Sequence, residues 1–131
     1  MFSRRGALIV LGAAGIIAGC ATGPAKFEDG VLTDSKSMTL YTFDKDTAGS
    51  GRSVCNGGCA KNWPPLAAGA DAKAHGPYSV ITRDDGSKQW AYDGMPLYLW
   101  VKDKQPGDRT GDGVRGVWHV VKQPASRMGG Y

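Results

Sequence analysis

The sequence predicts a small all-β domain assembled from two copies of one antiparallel unit, with little helix. The first observation is a stretch that occurs twice, Leu-Tyr-x-aromatic-x-Lys-Asp, at residues 40–46 and again at 97–103. Because Tyr41 and Tyr98 lie 57 positions apart, the two copies indicate a duplicated structural unit. The second observation is a series of short apolar runs separated by Asp- and Gly-rich turns, which is typical of β-hairpins. The third is the connector 67–76, whose small residues offer no apolar face that requires a helix.

Residues 1–19 resemble a bacterial export signal. Arg4 and Arg5 supply a positively charged start, and residues 6–19 form an uncharged apolar run that is too short to span a bilayer with ease. The run ends in two small residues and Cys20, an order that resembles the lipobox of bacterial lipoproteins. We therefore expect a lipoprotein signal peptide that is cleaved before Cys20. An ordinary signal peptide or an uncleaved anchor is the alternative.

Lipid modification of Cys20 would place the protein on a membrane of the cell envelope. Several acyl chains would hold it firmly, because each buried CH₂ contributes about 0.8 kcal/mol. Residues 20–26 would then form a short tether, which keeps the domain close to the membrane. In a cell with two membranes, Ala21 after the cysteine, in place of an aspartate, resembles the sorting signal of outer-membrane lipoproteins. We therefore expect the periplasmic face of the outer membrane.

The charge of the chain limits the classes of partner, and its cysteine content predicts a disulfide. Without Arg4 and Arg5, 14 basic residues remain against 12 acidic ones, a net charge of +2. The basic residues do not cluster after the signal, so a nucleic-acid partner is not indicated. Cys55 and Cys59 remain as an even pair in an exported protein, where such pairs tend to be oxidised. We expect a disulfide that shapes the loop before Trp63.

The predicted elements alternate between strands and tight turns through both halves of the chain. In the first half, loop 44–54 follows the repeated strand, and Pro64-Pro65 enforces an extended exit after Trp63. The second half is a clearer meander, with Gly86 and Gly94 supplying the hairpin turns. The predicted strands are 31–33, 38–43, 78–83, 88–92, 97–101 and 116–121.

These elements form one domain over residues 27–123, made of two repeats at about 27–66 and 78–122. Neither half is long enough to bury much core alone, so we expect the halves to pack about a pseudo-twofold axis and share the four tryptophans. The architecture is a small sandwich or barrel-like meander. Residues 124–131 are expected to be a flexible tail.

The repeated stretch has two interpretations. Alternation along a strand places the two aromatic residues of each copy on one face, and the closing carboxylate accepts backbone N–H groups to fix a turn. In this interpretation the stretch is a core strand with a polar stop. The alternative is a ligand-contacting aromatic pair with an acidic anchor. The residues concerned are Tyr41, Phe43 and Asp46 in the first copy and Tyr98, Trp100 and Asp103 in the second.

Several stretches outside the repeat complete a family pattern. They are Cys55-x-x-x-Cys59-Ala60-x-x-Trp63-Pro64-Pro65-Leu66, Arg83-x-Asp85-Gly86-Ser87-Lys88-Gln89-Trp90, Gly94-x-Pro96-Leu97-Tyr98, Pro106-Gly107-Asp108, Gly111-Asp112-Gly113 and Val117-Trp118-His119-Val120. Together with the repeated Tyr-x-(Phe/Trp/Tyr)-x-x-Asp motif, they resemble bacterial secreted-repeat lipoproteins. The resemblance covers about residues 27–122. The function of that family is unknown, so the resemblance implies an exported address and no reaction.

Metal and redox chemistry is the main alternative to a binding or structural role. Cys55, Cys59 and a histidine are a plausible Cu(I) set, and Met38 or Met95 would add soft donors. The alternative function is therefore a periplasmic copper-binding or thiol-redox protein. The Cys-x-x-x-Cys spacing resembles that of copper chaperones for oxidase assembly. Those proteins have a thioredoxin-like fold, and this sequence contains no βαβ pattern.

Calcium is a weaker possibility. Asp108, Thr110 and Asp112 stand at the first, third and fifth positions of an EF-hand-like loop, with Gly113 at the sixth. The twelfth position is His119 instead of a bidentate glutamate, so a Gly/Asp turn without a metal is the favoured interpretation. His119 is expected on the opposite strand face from Trp118.

The function best indicated by the sequence is a lipid-anchored, non-enzymatic module of the cell envelope, of unknown biochemical role. Its partner would be another envelope protein or a cell-wall component. Acyl-transfer chemistry requires a nucleophile, a base and an orienting group, and neither His75 nor His119 lies in such a context. We expect no catalytic residues and no cofactor.

Overall fold

The computed structural model describes residues 23–125. The predicted signal peptide, the predicted lipidation site Cys20 and most of the predicted tail lie outside these residues. The strands are β1 (Lys26–Glu28), β2 (Val31–Thr33), β3 (Tyr41–Phe43), β4 (Tyr78–Thr82), β5 (Lys88–Tyr92), β6 (Met95–Pro96) and β7 (Trp118–Val120), with one short helix, α1 (Gly58–Asn62), and a 3-10 turn at Val114–Gly116.

The strands form three small antiparallel sheets, β1-β2, β3-β7 and β4-β5-β6. The predicted all-β, duplicated fold with little helix is confirmed, and the described residues form no closed barrel. Two-residue turns connect β1 to β2 and β5 to β6. Asp29 and Gly30 in the first turn, and Asp93 and Gly94 in the second, all have positive φ, the conformation that matches the twist of a two-residue hairpin.

The two repeats exchange their last segments. In the first exchange, β3 of the first repeat pairs with β7 of the second, with Tyr41 opposite Val120. In the matching exchange, the chain around Leu97 and Leu99 pairs with residues 64–66: Leu66 N donates to Leu97 O at 2.9 Å, and Leu99 N donates to Pro64 O at 2.7 Å. Each repeat therefore completes the sheet of the other.

The pseudo-twofold axis passes between Tyr41 and Tyr98. Tyr41 N donates to Tyr98 O at 2.8 Å, and Tyr98 N donates back to Tyr41 O at 2.9 Å. The hairpins follow the same symmetry, because Leu32 N donates to Val121 O and Trp90 N donates to Leu66 O, both at 2.9 Å. These bonds show that β2 of the first repeat and β5 of the second repeat occupy equivalent positions.

Alternation along the central strands produces two separate cores. Aromatic residues on one side form a cluster that includes Tyr41, Phe43, Trp63, Tyr98 and Trp118. On the other side, the fully buried Leu32, Leu40 and Leu97 pack with half-buried aromatic residues, among them Phe27, Trp90 and Tyr92. Three of the four tryptophans lie in the first core, whereas Trp90 packs in the second core, because it lies on the opposite face of the sheet. Both cores contain residues of both repeats.

Several boundaries differ from the predicted ones, since β3 begins at Tyr41 instead of residue 38 and β7 covers Trp118–Val120 instead of 116–121. The strand predicted at 97–101 is reduced to two isolated bridges at Tyr98, one to Tyr41 and one to Pro65, and the two-residue strand β6 precedes it. The facing segment contains Pro64 and Pro65, which lack the N–H donors needed for a continuous ladder. The predicted tether is also shorter than expected, because Lys26 already begins β1 and Ala25 packs against the second core.

Within residues 23–125, no helix has both the length and the apolar character needed to cross a lipid bilayer.

Candidate functional site

The two copies of the repeated motif bond to each other across the pseudo-twofold axis. The Tyr41 hydroxyl donates to Asp103 Oδ2 at 2.6 Å, and the Tyr98 hydroxyl donates to Asp46 Oδ2 at 2.5 Å. Each tyrosine therefore contacts the aspartate of the other copy, 62 and 52 residues away respectively. The paired motifs connect one repeat to the other.

The second carboxylate oxygen of each aspartate fixes the loop that follows it. Asp46 Oδ1 accepts Val54 N at 2.8 Å. Asp103 Oδ1 accepts both the backbone N of Thr110 at 3.0 Å and its hydroxyl at 2.7 Å. Both aspartates are buried, with exposures of 5% and 7%. Buried carboxylates are stable only when such donors surround them, and here the donors hold two long loops against the core.

Burial also sets the protonation states of the paired motifs. It is the main cause that raises the pKa of the Tyr41 and Tyr98 hydroxyls far above their ordinary range, and the facing carboxylates raise them further. Both tyrosines are therefore neutral donors. Burial likewise raises the pKa of Asp46, although its bonds from Tyr98 and Val54 oppose that shift.

A buried arginine extends the Tyr98–Asp46 pair on one side. The Arg83 guanidinium is 5% exposed and donates to Ser53 Oγ at 3.0 Å, Gln89 Oε1 at 2.7 Å and Cys55 O at 2.5 Å. Ser53 Oγ lies 2.6 Å from the Tyr98 hydroxyl, which joins the arginine to the motif. Sequence reasoning placed Arg83 at the end of a strand and missed this role. The sequence signal for this role is that Arg83 and Gln89 lie on opposite sides of one hairpin turn, where their side chains can bond.

Four aromatic rings form a continuous stack through the centre of the first core. Trp63 lies face to face with Trp118 at 3.8 Å between ring centroids, and with Trp100 at 3.9 Å. Phe43 stacks on the far side of Trp118 at 4.2 Å. The stack is itself pseudo-symmetric, since the motif aromatics Phe43 and Trp100 lie at its two ends. The aromatic pair of each motif therefore faces the protein interior, with Trp100 only half-buried.

The cysteine pair forms a small structural loop beside this stack. Cys55 and Cys59 are joined by a disulfide. Cys55 is fully buried, and half-buried Cys59 lies in α1 and packs against the aromatic core. Trp63 N donates to Cys59 O at 2.8 Å, which places the disulfide loop directly before the central tryptophan. The copper or thiol-redox alternative stays a prediction.

The residues proposed for calcium each serve a separate local contact. Asp108 Oδ2 accepts Lys104 N at 2.7 Å, and Asp112 Oδ1 accepts Val120 N at 3.0 Å. His119 Nε2 lies 2.8 Å from Asp44 Oδ2 at the surface, on the opposite strand face from buried Trp118. Across residues 23–125, no three His, Cys, Asp or Glu side chains converge in a metal-binding arrangement.

One open cleft of about 470 Å³ lies between the β1–β2 hairpin and the loop after Asp103. Sequence reasoning did not identify it, because it forms between segments about 70 residues apart. Its lining residues are Glu28, Asp29, Val31, Thr33, Ser37, Thr39, Pro106, Gly107 and Arg109.

Comparison with known proteins supports the duplication. A family model described as a secreted repeat of unknown function (Lipoprotein_15) matches the chain twice, over residues 24–67 and 79–122. Searches of curated proteins and of solved structures give no match. The two matched segments are the two halves that exchange strands. Because they cover more than half of the chain, this protein belongs to the family of secreted repeats.

Proposed function

We propose that the protein is a lipid-anchored, non-enzymatic binding module of the cell envelope. The observation that carries this proposal is the crossed bonding of the two motifs, in which Tyr41 pairs with Asp103 and Tyr98 pairs with Asp46. These are the polar groups by which the motif is defined, and they are buried inside the domain. The motif therefore supports a rigid scaffold, and the binding function belongs to the outer surface.

A lipid on Cys20 would attach the domain close to the membrane. Gly23 is the first described residue, and Lys26 already begins β1. Six extended residues reach about 20 Å at most, so a domain attached at Cys20 lies against the membrane surface. This geometry suits a module that binds a component at or near the membrane.

Replacing Cys20 with serine is expected to release the full-length protein from the membrane. Serine cannot carry the thioether-linked lipid, and the acyl chains supply the membrane affinity. The measurement is detergent phase partitioning of cell envelopes, with acyl-chain labelling read on the same samples. The matched control is the double variant Cys55→Ser/Cys59→Ser, which should remain labelled and in the detergent phase. A Cys20→Ser protein that still partitions with detergent would contradict the anchor.

A further inference from the structure

The open cleft of the first repeat has a closed counterpart in the second repeat. Since β2 corresponds to β5, the turn residue Ser37 corresponds to Gly94, four positions before the central tyrosine in each case. In the second repeat, Gly49 N donates to Gly94 O at 3.0 Å, and a Cβ at Gly94 would lie 2.6 Å from Gly49 N. The loop after Asp46 therefore closes directly onto the turn, because Gly94 has no side chain.

The first repeat does not permit this closure. Ser37 also has positive φ, but it carries a Cβ and a hydroxyl at the turn. The loop after Asp103 instead contacts Thr39, two residues after Ser37, and the Thr39 hydroxyl donates to Asp108 O at 2.7 Å. Pro106 and Gly107 are then held away from the hairpin and line the cleft.

A cationic side chain fills the interior of the second repeat. Gln89 of β5 occupies the position that Val31 holds in β2, one residue before the paired Trp90 and Leu32. Its side-chain oxygen accepts the Arg83 guanidinium at 2.7 Å. In the first repeat, Val31 lines the open cleft. The hairpin of the first repeat is also shorter: β1 ends at Glu28, whereas the corresponding hairpin of the second repeat extends as far as Arg83.

The polar groups of the open cleft are mainly hydrogen-bond acceptors. The Thr33 hydroxyl has Lys26 O and Glu28 Oε1 as acceptors, both at 3.0 Å, and the Thr39 hydroxyl donates to Asp108 O. A hydroxyl has a single proton, so both oxygens keep only acceptor capacity for a ligand. Hydrogen bonds from Ser37 and Thr33 lower the pKa of Glu28, which keeps its carboxylate charged.

We propose that this cleft binds a protonated amine or guanidinium group of a ligand, with Glu28 as its counterion and the Thr33 and Thr39 hydroxyls as acceptors. This inference rests on the proposed binding role and names the chemistry of the ligand. The volume of the cleft, about 470 Å³, lies within the range of sites for small ligands and leaves room for the rest of a ligand that carries the cationic group. Arg109 lines the same cleft and donates to Asp29 O at 2.9 Å, so its charge opposes the cation. Lys26 Nζ lies 3.6 Å from Glu28 Oε2 at the surface, so a ligand cation competes with this exposed pair for the carboxylate.

The test compares two probes of nearly the same shape, N-acetyl-arginine amide and N-acetyl-citrulline amide, of which the second replaces the charged guanidinium with a neutral urea. Binding to the full lipidated chain in detergent is measured by calorimetry at low ionic strength. The arginine probe is expected to bind and the citrulline probe to bind at least about fivefold more weakly, as for a modest ion pair. Equal affinities for the two probes would overturn the proposal.

Variants of the cleft assign the charge to particular residues. Glu28→Gln should weaken binding of the arginine probe by about fivefold, while Arg109→Gln should strengthen it by about twofold. Asp71→Asn, which removes an exposed carboxylate on the connector, is the matched control and should leave affinity unchanged. Weaker binding after Arg109→Gln would overturn the proposal without depending on the folding of the Glu28 variant.

The same samples separate this inference from the proposed anchoring. If the chain stays in the detergent phase but the arginine probe does not bind, the cation site is wrong and the anchored module stands. If the Cys20→Ser chain also stays in the detergent phase while the probe binds, the anchor is wrong and the cation site stands.

Discussion

Neither repeat is expected to fold without the other. In a fragment of residues 24–76, β3 has no partner strand, because β7 belongs to the second repeat. Residues 77–125 lose the segment 64–66 that bonds Leu97 and Leu99. Each fragment also loses half of the aromatic stack, and a chain of this size is marginal even with a complete core.

The measurement is the amide chemical-shift dispersion of each fragment by NMR, alone and after mixing. We expect narrow, unfolded spectra for the separate fragments and the dispersed spectrum of the intact domain in the equimolar mixture. A dispersed, cooperative spectrum from either fragment alone would contradict the exchange of segments. The intact chain with its connector, 67–76, is the control.

Replacing Trp63 with alanine is expected to lower the free energy of unfolding by about 3–5 kcal/mol, the cost typical of a fully buried large aromatic residue. Trp63 is 5% exposed and stacks between Trp100 and Trp118, with Tyr41 against its edge. Its removal opens a cavity where the two repeats meet. A small domain has roughly 5–15 kcal/mol of stability in total, so the variant loses a large part of it.

Chemical denaturation of the Trp63→Ala and Trp100→Ala variants measures how much unfolding free energy each tryptophan contributes. Trp100 lies at the end of the same stack and is only half-buried, so it provides a control of identical chemistry. We expect the loss at Trp63 to exceed that at Trp100. Equal losses would show that the centre of the stack is not the joint between the repeats.

Local patterns predicted the hairpins well, because their information is contained in neighbouring residues. Strand β5 has the predicted bounds, 88–92, and the Asp93-Gly94 turn has the positive φ values expected of a two-residue hairpin. Trp90 and Tyr92 share one face of β5 as predicted, but Gln89 and Ala91 on the opposite face are fully buried, so both faces of this strand are covered. The duplication was equally visible, since both motif copies keep the same residue types at the same spacing.

Long-range pairing was not predictable in this way. A pattern of alternating residues gives the face of a strand but not its partner, so the exchange of β7 and residues 64–66 between repeats was missed. The crossed Tyr–Asp pairs are missed for the same reason. The predicted strand 78–83 did not indicate that the Arg83 guanidinium is buried, because arginine is usually exposed. Neutral oxygens around the guanidinium make its burial possible.

The repeated motif joins the two repeats through crossed tyrosine–aspartate bonds. A double-mutant cycle on the free energy of unfolding tests it, using Tyr41→Phe with Asp103→Asn for the crossed pair. The comparison cycle uses Tyr41→Phe with Asp46→Asn, the aspartate of the same motif copy. We predict a coupling of about 1.5–3 kcal/mol for the crossed pair, typical of a hydrogen bond to a charged group, and a coupling near zero within one copy. Equal couplings, or a larger one for Tyr41 with Asp46, would contradict the crossed arrangement.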